Sequence, residues 1–361
     1  MTEPRTRYIH AAGLTLVHGD ALEALKAYPA DHFHTCVTSP PYWSLRDYGA
    51  QGQLGLEDRL EDYLERLTAI FEEVRRVLRP DGTAWINMGD CYAAGGGHRG
   101  AGASARCFNT KRGLAQHGTQ RPPAGLRPKN LVGLPWRVAF ALQAAGWYLR
   151  KDIIWHKPNP MPESVTDRPT TAHEYLFLLA KSEKYYYNAQ AIREPASKDY
   201  PGRSRAAAST ARATDRKRTA SPKDKRKLPA GWDTGPGHHG REKRRDKQAG
   251  HGKRHAGFND RYRENPGDQE TRNRRDVWTI ATKGFAGAHF ATFPPALIEP
   301  CILAGAPEGG TVLDPFAGAG TTLVTAYRLG RRAVGIEISG DYIKGIAIPR
   351  IKAETAQQRL L

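Results

Sequence analysis

Thr311-Val312-Leu313-Asp314-Pro315-Phe316-Ala317-Gly318-Ala319-Gly320-Thr321-Thr322 is the stretch on which the fold turns. A short apolar run ends in an acid, a glycine-punctuated turn follows, and the residues through Leu329 carry the spacing of an apolar helix. The reading is strand, tight loop, helix. Gly318 and Gly320 let the backbone turn sharply and approach a ligand, while the first helical turn directs N–H groups at it. Arg332 to Ile338 reads as the next strand and carries Glu337, 23 residues beyond Asp314. An acid at that distance suits paired hydrogen bonds to ribose hydroxyls. The third glycine of a dinucleotide fingerprint is missing, with Leu323 in its place. The pattern therefore predicts a nucleoside-bearing ligand and not clearly a nicotinamide dinucleotide.

Working outward, the same alternation recurs at the other end of the chain. Leu14 to His18 and His34 to Thr38 read as strands, with a helical stretch from Ala21 to Ala27 between them. Leu60 to Leu78 has apolar residues at helical spacing and is stopped by Pro80-Asp81-Gly82, and Thr83 to Met88 is a further strand. Trp136 to Gly146 reads as a helix, Trp147 to His156 and Glu174 to Ala180 as strands. Strands alternating with helices predict a parallel sheet covered on both faces.

Two stretches break the pattern. Ala93 to Arg127 is rich in Gly, Ala and basic residues without periodicity and is expected to be a mobile loop. From Pro195 to Arg275 the chain is basic and punctuated by Gly, Pro and Ser, with too few large apolar residues to offset the entropy of ordering. The whole chain of 361 residues has 55 Lys and Arg against 37 Asp and Glu, a net +18. Residues 201–275 hold 22 of those bases and 9 of the acids, so this segment alone carries +13. A localised positive stretch fits phosphate neutralisation better than a uniformly basic shell; a solvated tail is the bland alternative.

Other classes are disfavoured. No apolar run approaches the roughly 18 residues of a membrane span, and Met1 to His10 has no apolar secretory core. Cys36, Cys91, Cys107 and Cys301 form no C-x-x-C pair, and His251 and His255 stand among Gly, Lys and Arg, so neither a disulfide framework nor a metal site is expected. A cytoplasmic protein with no membrane contact is expected.

The sharpest chemistry lies at Thr38-Ser39-Pro40-Pro41-Tyr42-Trp43, at the end of a strand. Both prolines have fixed φ and no N–H, and Ser39, preceding a proline, is pushed into an extended conformation. The result is a stiff turn presenting the Ser39 hydroxyl and the Pro40 carbonyl as acceptors beside two aromatic rings. Such a corner suits a planar base whose exocyclic NH2 donates two hydrogen bonds. Drawing both N–H groups out of the ring plane restores nucleophilic character to a nitrogen whose lone pair is otherwise delocalised. A packed, proline-rich strand end is the competing reading.

Together these motifs resemble those of DNA amino-methyltransferases, which use S-adenosyl-L-methionine to methylate cytosine N4 or adenine N6. Ser39-Pro40-Pro41-Tyr42 is similar to the family's catalytic motif. The run from Asp314 through Phe316, Gly318, Gly320 and Thr321 is similar to its methionine-binding loop, and Glu337 to its ribose-binding acid. Asp20 in Gly19-Asp20-Ala21-Leu22 matches an acid near the cofactor adenine, and His289-Phe290 lies in a segment like the one closing over the methionine end. Ile154-Trp155-His156-Lys157-Pro158-Asn159, with Arg168 and His173-Glu174, resembles the signature that follows the catalytic half. The resemblance implies a Rossmann-like methyltransferase fold, α/β, with a mostly parallel seven-stranded sheet and a long basic insertion. The catalytic motif precedes the cofactor loop by about 275 residues, the permuted order that the family calls β.

The implied organisation is a catalytic half over 1–92, a Gly-rich loop over 93–130, the rest of the catalytic half over 131–194, a basic target-recognition insertion over 195–275, and a cofactor half over 276–361. Trp43, Lys157 and Arg168 are the candidate DNA contacts, double-stranded DNA the expected partner, and a cognate restriction endonuclease a candidate companion. No metal is needed. S-P-P-Y is associated in the family mainly with cytosine N4, although a hydroxyl accepts from either amine. Carbon-5 methylation requires a cysteine nucleophile; the one Pro-Cys pair, Pro300-Cys301, precedes the cofactor strand, and Cys301 is read as a buried helix residue. A chain that only coats nucleic acid is the non-catalytic rival, and the full set of catalytic positions argues against it.

Overall fold

The computed structural model describes residues 7–10, 13–43, 49–93, 125–196, 271–282 and 293–358. Most of the expected loop over 93–127, most of the basic insertion, and His289 and Phe290 lie outside them. In chain order the first elements are β1 (Arg7–His10), β2 (Leu14–His18), α1 (Ala21–Lys26), β3 (Phe33–Thr38), α2 (Leu60–Val77) and β4 (Leu78–Met88). Then come α3 (Leu134–Ala144), β5 (Tyr148–His156), β6 (His173–Ala180), β7 (Glu194–Pro195), β8 (Thr271–Arg272) and β9 (Val277–Thr279). The C-terminal elements are α4 (Pro295–Gly305), β10 (Thr311–Asp314), α5 (Thr321–Arg328), β11 (Arg332–Glu337) and α6 (Ile348–Gln358).

The chain divides into two units, 1–192 with 274–361, and 193–273. In the first, nine strands make one sheet in the order β1-β2-β11-β10-β3-β4-β6-β5-β9. The run from β2 to β4 is parallel, and β6 is antiparallel to both β4 and β5. The sheet has two strands more than the seven expected: β1 and β9, of four and three residues, extend its edges. Elements so short carry too little alternation to be read in sequence.

Successive residues of β3 face opposite sides. Cys36 joins the core under α1, α2 and α3, and Val37 the core under α4 and α5. The amphipathic α2 buries Leu67, Phe71 and Val74 on the first face, and α4 buries Ile298, Cys301 and Ile302 on the second. Cys301 is thus the buried helix residue expected, and burial pushes its thiol pKa up.

Boundaries differ in two informative places. α2 passes into β4 without a loop, because Leu78 is already extended (φ −72°, ψ 144°), and the Pro-Asp-Gly sequence is absorbed as an irregularity in the pairing with β3. α3 starts two residues before the expected Trp136, since Gly133 caps it in the left-handed conformation (φ 70°) and Pro135 fits its first turn.

In the second unit β7 and β8 pair antiparallel, Glu194 opposite Arg272. The Arg272 Nε donates to Glu194 Oε1 at 2.8 Å and Arg193 reaches the Thr271 carbonyl at 2.8 Å. The chain segments entering and leaving the insertion are therefore fastened together. No helix among the described residues is long and apolar enough to cross a membrane.

Candidate active site

β3 and β10 are parallel neighbours in the middle of the sheet, so the ends of two segments far apart in sequence emerge side by side. The chain leaves β10 into α5 on one face, whereas α2, which follows β3, packs on the other. A crevice opens beyond the strand ends at such a switch point. Thr38 and Asp314 tie the two strands there: the Thr38 hydroxyl donates to Asp314 Oδ1 at 2.6 Å.

A cleft occupies this position, and Ser39, Pro41, Asp20, Phe316, Gly318 and Glu337 all line it. The proline turn and the glycine loop thus share one cavity. Glu337 is 9% exposed; its two oxygens accept the Gly318 and Ser339 N–H groups, each at 2.8 Å. Burial raises its pKa in spite of those bonds. Gly318 turns at φ 48° and Gly19 at φ 153°, and no atom stands within 4 Å of where a Gly19 Cβ would be. Asp20 caps α1, accepting the Glu23 N–H at 3.0 Å.

The other residues of the cofactor motif lie behind this wall. Asp314 is 2% exposed and accepts Thr38 and the Phe316 N–H at 3.1 Å; burial raises its pKa. Gly320 is the left-handed cap of α5, and the Thr321 hydroxyl accepts from Arg350 at 2.7 Å. These residues shape the loop and do not line the cleft.

The proline turn is braced from α2 and the preceding loop. The Tyr63 hydroxyl donates to the carbonyl of Pro41, not of Pro40, at 2.9 Å. Gly55, at φ 97°, passes so close that a Cβ there would stand 2.8 Å from the Tyr42 carbonyl oxygen. Trp43 corrects an expectation. It is 4% exposed and its indole N–H donates to the Glu57 carbonyl at 2.9 Å, so it anchors the turn in the core and offers no face to DNA. Lys157 and Arg168, expected at DNA, each meet a carboxylate instead. Lys157 pairs with Glu174, and Arg168 pairs with Glu163 at 2.5 Å while lying 4.0 Å over the Tyr92 ring.

Sequence reading missed Gln53, Leu54 and Arg66, which close the far wall of the cleft, and gave Glu174 no role of its own. The Glu174 carboxylate accepts the Tyr42 hydroxyl at 3.1 Å and the Asn87 amide at 3.0 Å. Its position at the start of β6, the strand beside β4, was the available signal.

A family profile described as DNA methylase matches residues 33–348. The chain belongs to the N6/N4 DNA methylase family. Among relatives of this methylase, the Type II methyltransferase M.Cfr9I of Citrobacter freundii is 43% identical over 352 residues, covering 97% of this chain and 91% of that one. M.SmaI of Serratia marcescens is 41% identical, covering 91% and 87%. Two solved structures share the fold. The putative DNA modification methylase TTHA0409 of Thermus thermophilus, solved with S-adenosyl-L-methionine, superposes with TM-score 0.52 at 24% identity, covering 96% of this chain and 94% of that one. The PvuII DNA methyltransferase (cytosine-N4-specific) gives 0.53 at 16% identity, covering 95% and 91%.

Proposed function

We propose that this methylase transfers the methyl group of S-adenosyl-L-methionine to N4 of a cytosine in duplex DNA. The observation that carries the reading is the shared cleft lined by Ser39 of the proline turn, Gly318 of the glycine loop and Glu337 at the end of β11. The donor set fits the cofactor: a buried carboxylate for ribose hydroxyls, the Phe316 ring for a planar group, and glycine backbone where a side chain would intrude. When bound, S-adenosyl-L-methionine would supply an electrophilic methyl on sulfonium; the amine nitrogen would form the new N–C bond as the old bonding pair stays on sulfur, and the methylated amine would then release one proton to solvent. Glu337, Asp20, Phe316 and Gly318 hold the cofactor, with His289 and Phe290 proposed to close over it.

Ser39 and the Pro40 carbonyl orient the base amine, and positioning of this kind supplies the rate enhancement. The target base is unreachable inside a duplex and must be flipped out, at a cost of a few kcal/mol. Stacking on Tyr42 returns about 1–3 kcal/mol. Phosphate contacts come from the basic insertion. The serine in the first motif position supports cytosine over adenine.

The test is to methylate duplex DNA with methyl-labelled cofactor, digest it to nucleosides and weigh the product. N4-methyldeoxycytidine is expected, and Ser39→Ala should lower its yield about a hundredfold. Labelled N6-methyldeoxyadenosine would replace the cytosine assignment, and no labelled nucleoside at all would overturn the function.

A further inference from the structure

Behind the proline turn a chain of polar groups runs from Ser39 and Tyr42 to Glu174, Asn87 and Lys157, and to these last three the transfer described above gives no task. Ser39 Oγ donates to the Tyr42 hydroxyl at 3.3 Å, and Tyr42 donates to Glu174 Oε2 at 3.1 Å. Glu174 Oε2 also receives the Asn87 Nδ2 at 3.0 Å, while Oε1 is paired with the Lys157 ammonium. That ammonium stands 4.5 Å from the Trp155 ring centroid. Space around the chain is closed: a Cβ on Gly89 would stand 3.1 Å from Tyr42 Cε2 and 3.4 Å from Glu174 Cδ.

The order of donors in this chain is forced. A carboxylate held by an ammonium and an amide N–H is ionised and accepts only. The phenol has one proton, and its partner Glu174 takes it. The phenol oxygen, its own proton given to Glu174, then accepts from Ser39, whose single proton is used in that bond. Only lone pairs remain on Ser39 Oγ to face the cleft. At 3.3 Å the serine link is the longest of the chain, as catalytic contacts often are before substrate arrives.

We propose that Glu174 is a positioning residue that, through Tyr42, makes the Ser39 hydroxyl an obligatory acceptor. This deepens the proposed function and rests on its reading of Ser39 as the partner of the base amine. An isolated serine hydroxyl rotates and donates as readily as it accepts. Fixed in this sense, it takes an exocyclic N–H and opposes its lone pairs to those of a carbonyl. The site then discriminates an amino-bearing base from thymine or uracil, with the oxo group at the same ring position.

A double-mutant cycle tests the relay. Single-turnover methyl transfer to duplex DNA is measured in the full chain, with the dissociation constants of DNA and cofactor determined alongside. Glu174→Met and Lys157→Met are introduced together so that no charge is left buried and unpaired. In the Tyr42 background the pair should slow transfer about tenfold with both dissociation constants held within about twofold. In the Tyr42→Phe background the same pair should cost less than about twofold, and Tyr42→Phe alone should slow transfer about tenfold. Equal losses in the two backgrounds, an unchanged rate for Tyr42→Phe, or a loss carried by DNA affinity alone would overturn the relay. If the wild type makes no N-methylated nucleoside the proposed function itself fails; an active wild type with an additive cycle removes only the relay.

Discussion

Glu337 is nine-tenths buried, with each oxygen engaged by a backbone N–H, and burial raises its pKa above the ordinary 4.5. The folded chain therefore takes up this proton at a higher pH than the unfolded chain does. Between the two values, acidification makes this group's contribution to folding more favourable, and a rise in pH removes it. Cofactor binding responds in the opposite sense, because a protonated Glu337 has lost part of its capacity to accept from ribose hydroxyls while holding Gly318 and Ser339. Calorimetric titration should show cofactor affinity weakening as pH falls, beginning above 4.5, with no parallel loss of melting temperature from this residue. An affinity that stays flat down to that pH would remove Glu337 from the ribose site. At this scale the sequence was legible wherever a backbone constraint fixes a group, as with Ser39 before two prolines and Glu337 at a strand end. It was not legible for Trp43. A ring's direction depends on Glu57, 14 residues away, and nothing in the local pattern reports that contact.

Among elements, α2 and the loop before it matter most to the proline turn. Tyr63 holds the Pro41 carbonyl and Gly55 slides beneath that of Tyr42. Gly55→Ala places a Cβ against that oxygen at a positive φ, so the variant should lose about 1–2 kcal/mol of stability. Displacement of the turn should lower methyl transfer about tenfold, since small misplacements at a reacting centre are costly. Chemical denaturation and single-turnover kinetics check the two effects, and full activity would show that the turn is rigid without its neighbour. Hydrophobic spacing revealed α2 and the parallel run of β3, β4, β10 and β11, because amphipathic helices and buried strands have clear periods. Their pairing into one crevice could be argued only by resemblance. Register between segments some 275 residues apart is set by packing and not by local pattern.

In the molecule as a whole, positive charge is concentrated in the insertion, whose entry and exit are fastened by Glu194 and Arg272. Replacing residues 197–270 with two glycines leaves Ala196-Gly-Gly to turn between Pro195 and Thr271, so that β7 and β8 close as a hairpin. Cofactor affinity should be unchanged, while DNA affinity falls and its logarithm varies less steeply with the logarithm of salt concentration. Fluorescence anisotropy over a salt series measures both, and an undiminished slope would place the phosphate contacts elsewhere. The location of the charge was legible in composition, whereas the clamp at its base was not, being two strands of two residues each. The sheet order has a final consequence. β11 and β10, which follow the insertion in the chain, stand between β2 and β3, which precede it. A cut in the insertion therefore leaves one piece lacking the two central strands and gives them to the other. Neither fragment of a chain cut in the insertion can build half a working enzyme. Two such pieces, each inert, should regain methyl transfer on mixing, and activity that stays absent would show that the centre of the sheet closes only when β2, β11, β10 and β3 share one chain.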